Sequence, residues 1–172
     1  EQTLKPSFLQ DAEAVMIVEL EDLTDGIGND AAKVEELLMQ NGAQKVERAK
    51  DDAERARIWR ARKESFGAIG RIAPSYYVQD GVIPRSKLPE VIEQVEAIGK
   101  KYNLTVANVF HAGDGNLHPL ILYNYKDEDE VERTHHAGEE ILKACLSCGG
   151  ALSGEHGIGL EKRKLITDLY SE

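Results

Sequence analysis

His111-Ala112-Gly113-Asp114-Gly115-Asn116-Leu117-His118 decides the fold of this chain, because it reads as a reversal between two extended runs. Residues 104–110 lead into it and residues 117–123 lead out. Gly113, Asp114, Gly115 and Asn116 tolerate positive φ and turn a chain at little cost. The reading is two antiparallel strands joined by a six-residue turn, 112–117, with His111 and His118 facing each other across the ladder. Directly opposed residues share a face, with Cβ atoms about 5 Å apart. Two imidazoles placed there could grip one metal ion, or could simply fill strand positions.

The flanking sequence alternates strand and helix signals. Residues 14–20, running on to Asp22, are apolar and β-branched and read as a strand. Residues 25–30 read as a turn, with Asn29 or Asp30 capping a helix that stops at Asn41-Gly42. Residues 43–49 read as a short strand, and Asp51 opens a long helix towards Gly70. Residues 76–83 are extended and closed by Pro84. Ser86 then caps a helix with Leu88, Val91, Ile92, Val95 and Ile98 on one stripe. Asp127, Glu128 and Asp129 suit a helix N-terminus. That helix carries Val131, Gly138, Ile141, Leu142 and Cys145 on one face and ends at Gly149-Gly150. Residues 161–170 read as a final helix. The hairpin excludes a purely parallel sheet. The expected class is α+β: a ferredoxin-like sandwich with a mixed or antiparallel sheet of about five strands and helices mainly on one face.

A chain of 172 residues suits a single domain over its whole length. A net charge of −10 argues against a nucleic-acid surface, which needs clustered Lys and Arg. No apolar run approaches the roughly 20 residues that span a bilayer. Cys145 and Cys148 make no disulfide framework, and a reducing, cytoplasmic compartment is expected, with a peripheral place at the inner membrane face as the variant. Glu1 is not a methionine and the chain stops just after a helical run, so a piece of a longer polypeptide is expected.

His111, His118 and Glu155 supply two imidazoles and a carboxylate, a donor set that suits zinc, manganese or iron with an open position. His156 follows Glu155 directly, and both ligating one ion is awkward. His156 is then free to act as a base near the ion, or is a loop histidine held by backbone bonds. His135, on the apolar stripe of its helix, and His136, off it, read as structural. Cys145 and Cys148 read as small buried residues, since a helix C-terminus disfavours a thiolate. Arg55, Arg57, Arg60, Arg62, Lys63 and Arg71 make one helix basic. That is a solvated face, or one arginine clamps a substrate carboxylate. Gly154, Gly157 and Gly159 lack the lysine of a P-loop and the strand of a dinucleotide fingerprint, so nucleotide binding is rejected there.

Residues 108–119 and 150–163, with 59–65 and 78–88, closely resemble the C-terminal domain of FAD-linked oxidases, the family of glycolate oxidase GlcD subunits and D-lactate dehydrogenases. The resemblance covers nearly the whole chain. It implies a two-domain flavoprotein that oxidises D-2-hydroxy acids to 2-oxo acids. FAD would lie mainly in an N-terminal domain absent here, and the present domain would cap the flavin. It implies a divalent ion on His111, His118 and Glu155, His156 as the base, and Arg62 on the substrate carboxylate. Relatives acting on a hydroxy diacid carry a lysine near Val78 and an asparagine near Leu120, so a small monocarboxylate such as glycolate or lactate is expected. The partners implied are the chain's own FAD domain and other oxidase subunits or an electron acceptor. The fragment alone is expected to be inactive. Two rival readings are a stand-alone ferredoxin-like small-molecule-binding module and a metal-dependent hydrolase.

Overall fold

A computed structural model describes residues 12–21 and 26–170, with the chain divided into two compact units, Glu1–Gly67 and Ala68–Glu172. In the first unit α1, Ile27–Gln40, starts at Gly26 without a side-chain cap, so neither Asn29 nor Asp30 caps it. Asp30 instead lies inside the first turn, where it still complements the helix dipole. Asn41 ends α1 and Gly42 follows at φ 88°, as expected. Residues 14–20 are not a strand. Among the described residues no ladder partner pairs with them, and Val15, Met16 and Val18 stay exposed. Without that pairing, β propensity does not make a strand. Residues 43–49 are irregular for the same reason. Asp22 and Asp25 lie outside the described residues. The long helix α2, Asp52–Ile69, opens on a reciprocal cap. Asp51 Oδ1 accepts from the Glu54 amide at 2.8 Å, and Glu54 Oε2 accepts from the Lys50 amide at 2.9 Å.

The second unit is built on the hairpin. β5, Pro119–Tyr123, runs between β1, Ser75–Val78, and β3, Thr105–Asn108, antiparallel to both. Ile121 meets α3, Leu88–Lys101, and α4, Glu128–Ser147, through Val91, Val95, Ile98, Ala137 and Ile141. Leu120 and Leu122 alternate to the other face and are buried too. β2, Gly81–Val82, and β4, Asn116–Leu117, form a separate antiparallel pair, and Ala151 bridges to Val82. The class is α+β, but the strands fall into two small antiparallel sheets instead of one sheet of about five.

Three local readings change. Arg85–Lys87 form a short 3-10 turn, and α3 starts at Lys87 with Pro89 in its first turn, so Ser86 is no cap. α4 begins at Asp127, whose side chain accepts from the amides of Asp129 and Glu130, and its buried row includes Thr134 where His135 was expected; His135 is exposed. The final helix shrinks to a 3-10 turn, Arg163–Leu165, and α5, Ile166–Leu169, pinned by buried Leu165 against Leu142 and Leu152.

The hairpin turn is also shorter than expected. His111 pairs with Asn116 in an antiparallel bridge, closing a four-residue turn, 112–115. The β3–β5 register, Asn108 opposite Pro119, continues to it. His118 is therefore not opposite His111. It lies two residues beyond Asn116, and an even offset keeps it on the same face. Gly115 is required in this turn: it has φ 70°, and a Cβ would lie 2.1 Å from the Ile83 carbonyl oxygen.

Candidate metal centre

The hairpin brings the His111 and His118 rings to 5.5 Å between centroids, edge to face. The loop after Ala151 carries Glu155 over them. Its carboxylate spans both rings, with Oε1 3.6 Å from His111 Nε2 and Oε2 3.6 Å from His118 Nε2. One ligand atom from each of the three residues lies within 4.8 Å of the others. Two ligands of a tetrahedral zinc lie about 3.3 Å apart, given bonds of about 2.0–2.1 Å. The Glu155 side chain is 53% exposed and free to close the remaining gap. Two nitrogens and an oxygen converging in this way could hold a divalent ion of the zinc, manganese or iron type.

Burial separates the donors. His118 is 5% exposed, whereas His111 and Glu155 face solvent. Burial pushes the His118 pKa down, against the pull of the Glu155 and Asp80 charges, so the ring is held neutral, the form that ligates. Its Nδ1 is buried without a hydrogen-bond partner, 4.0 Å from Asp80 Oδ1. The His156 ring stacks on His118, 5.2 Å between centroids and 12° from parallel. His156 thus sits beside the donor set.

Two residues not singled out from sequence organise the loop. Asp80 lies between β1 and β2 and is fully buried. It accepts from Ser153 Oγ at 2.6 Å, from the Gly154 and Glu155 amides at 3.1 Å, and from the His156 amide at 2.9 Å. Burial alone would raise the Asp80 pKa; these donors outweigh it and hold the carboxyl well below the usual range. Lys162 is buried below, its Nζ 3.5 Å from Asp80 Oδ2 and donating to the carbonyls of Asp80 and Leu152. Gly154 packs so closely on Asn116 that a Cβ would meet its carboxamide at 2.7 Å. An aspartate within the apolar run 76–83 was the one sequence signal for Asp80. Lys162 is masked by its charged neighbours Glu161, Arg163 and Lys164.

Arg62 belongs to the first unit, with its guanidinium 5.6 Å from the Phe66 ring centre. His135 and His136 are exposed on α4, the first edge-on to Tyr77 and the second tilted towards Tyr102. Cys145 is buried and its thiol is pushed up to about 12, while Cys148 Sγ donates to the Cys145 carbonyl. No described helix is long and apolar enough to cross a membrane.

Two imidazoles and a carboxylate on a hairpin and a glycine loop, with a further imidazole stacked against them, form a donor cluster that could hold one metal ion in an α+β fold. The chain belongs to the family described as FAD linked oxidases, C-terminal domain, whose model matches residues 1–172. It is 46% identical to the glycolate oxidase subunit GlcD of Escherichia coli K12, over 94% of this chain and 32% of that one. It is 31% identical to GlcD of Bacillus subtilis, over 86% of this chain and 32% of that one. It is 37% identical to a probable mitochondrial D-lactate dehydrogenase of Danio rerio, over 78% and 27%. The chain thus spans about a third or less of the length of these relatives.

Proposed function

We propose that this chain is the substrate-side domain of an FAD-dependent dehydrogenase that oxidises a small D-2-hydroxy acid, glycolate or D-lactate, to the 2-oxo acid. The observation that carries it is the convergence of His111, His118 and Glu155 beside His156 in a chain of a flavin-linked family. That membership favours this reading over a metal-dependent hydrolase or a stand-alone binding module. In this reading residues 1–172 are a C-terminal cap, FAD is held mainly by an N-terminal domain of the same polypeptide, and α3 and α4 on the three-stranded sheet are part of a ferredoxin-like sandwich. The relatives' names, a glycolate oxidase subunit and a D-lactate dehydrogenase, support the substrate class and a partner subunit or electron acceptor. A cytoplasmic place, peripheral at the inner membrane face, belongs to the same reading.

His111, His118 and Glu155 would hold the divalent ion. When bound, the ion would lower the pKa of the substrate hydroxyl and the flavin would supply the hydride acceptor. His156 would take the hydroxyl proton as the α-carbon gives up its hydride to the flavin and the C–O bond becomes C=O. The stack of its ring on His118, beside the donor cluster, supports that role. Arg62 would hold the substrate carboxylate, the role the family resemblance gives it. Val78 and buried Leu120 offer no partner for a second carboxylate, which favours a monocarboxylate. The test is oxidation of glycolate and D-lactate by the whole protein, with metal and flavin content measured alongside. Turnover of either acid with about one metal per chain is expected. A flavin- and metal-loaded protein that oxidises neither overturns the reading, and the chain without its FAD domain should oxidise neither.

A further inference from the structure

Glu155 and His156 sit on a loop rich in glycine, with little order of its own. Its backbone amides are held by one acid from the segment between β1 and β2. Asp80 takes the Ser153 hydroxyl and three consecutive amides, of Gly154, Glu155 and His156, and so fixes the backbone of both functional residues. The Ser153 hydroxyl in turn accepts from the Gly157 amide at 2.7 Å, which closes the loop on itself. The same carboxylate faces the unpartnered Nδ1 of His118. At 4.0 Å the gap is longer than a hydrogen bond, so the hold on the ring is electrostatic.

We propose that Asp80 is the positioning residue of this centre: one buried carboxylate that sets the loop bearing Glu155 and His156 and keeps the His118 proton on Nδ1, leaving Nε2 to ligate. Its purpose rests on the metal-centre reading above; its geometry does not. Two carboxylates face the His118 ring, Asp80 at Nδ1 and Glu155 at Nε2. The Asp80 side chain is fully buried while that of Glu155 is 53% exposed, so water screens Glu155 far more. The neutral ring has one N–H, and the less screened charge draws it to Nδ1. Lys162, its Nζ 3.5 Å from Asp80 Oδ2, adds a counter-charge to the four hydrogen-bond donors that keep Asp80 ionised while buried.

The test uses the whole protein and three variants: Asp80→Asn, Ser153→Ala, and Val95→Ala as a buried core control away from the centre. Three quantities are read: Zn²⁺ affinity by competition with a chelating dye, hydrogen exchange of amides 154–157 in the metal-free protein, and the ¹⁵N shifts of the His118 ring. Asp80→Asn should weaken Zn²⁺ binding about 10–100-fold, as outer-shell partners do. It should also speed exchange at 154–156 and mix the His118 tautomers. Ser153→Ala should do the same more weakly, and Val95→Ala should lower stability with Zn²⁺ affinity unchanged. A folded Asp80→Asn protein with wild-type exchange and an unmixed His118 tautomer overturns the proposal. If Asp80→Asn does not fold, wild-type exchange at 154–157 together with wild-type Zn²⁺ affinity in Ser153→Ala overturns it instead. A wild-type protein that takes up no Zn²⁺ defeats the metal reading, while exchange and tautomer still decide the role of Asp80.

Discussion

The hairpin and helix α4 both carry metal-ligand residue types at suggestive spacings, yet among the described residues only the hairpin brings such donors together. α4 has His135-His136 and Cys145-x-x-Cys148 within a single helix. There the two histidines lean on separate tyrosines, and Cys145 is buried in the core, where burial pushes its thiol pKa up. The centre draws on the hairpin for His111 and His118, on the glycine loop for Glu155, and on the β1–β2 switch for Asp80. Convergence comes from tying separate segments together with buried charge, and spacing along one element does not supply it.

The largest effect expected from breaking this contrast is at His118. His118→Ala in the whole protein should lose metal, and activity with it, measured as metal content beside kcat. A metal-free variant with full activity would show that His156 works without the ion. Next is His156→Ala, which should keep its metal while kcat falls about 10²–10⁴-fold, the usual range for a lost general base. Arg62→Ala should raise KM as well, since it removes binding already present in the ground state.

Acidification gives a smaller, sharper signal. Both His118 and Asp80 have lowered pKa values in the fold, so each stabilises above its unfolded value and loses that contribution as pH falls. The His118 contribution should fade below about pH 6.5 and that of Asp80 below about pH 4. Thermal unfolding against pH should show the first decline missing in His118→Ala and the second missing in Asp80→Asn. The smallest effects belong to α4. Cys145→Ala should cost roughly 1 kcal/mol through lost packing, and His135→Ala and His136→Ala less than about 0.5 kcal/mol, all with metal content unchanged.

Much of this was legible in the chain. The stripe of α3, the acidic start of α4, the end of α1 at Asn41-Gly42 and the hairpin itself follow from local rules that the structure obeys. That His111 and His118 share a face was legible because face sharing depends on parity: the turn is two residues shorter than read, and the histidines stay on one face. What failed was anything that needed a distant partner. Residues 14–20 have strand composition but no ladder among the described residues, and a composition cannot report its neighbour. Ser86 has cap chemistry, but a 3-10 turn occupies the position where a cap would act. Asp80 and Lys162 are polar residues whose burial exists only once segments far apart in sequence meet.

The Asp80–Lys162 contact joins residues 82 positions apart. A chain emerging from the ribosome therefore has its hairpin long before it has its centre. Until Lys162 docks beneath Asp80 and the loop closes over the rings, only the two imidazoles are available to a passing ion, a weaker grip than the full donor set. An ion held by His111, His118 and Glu155 would therefore meet its third ligand only once the segment that carries Glu155 has docked.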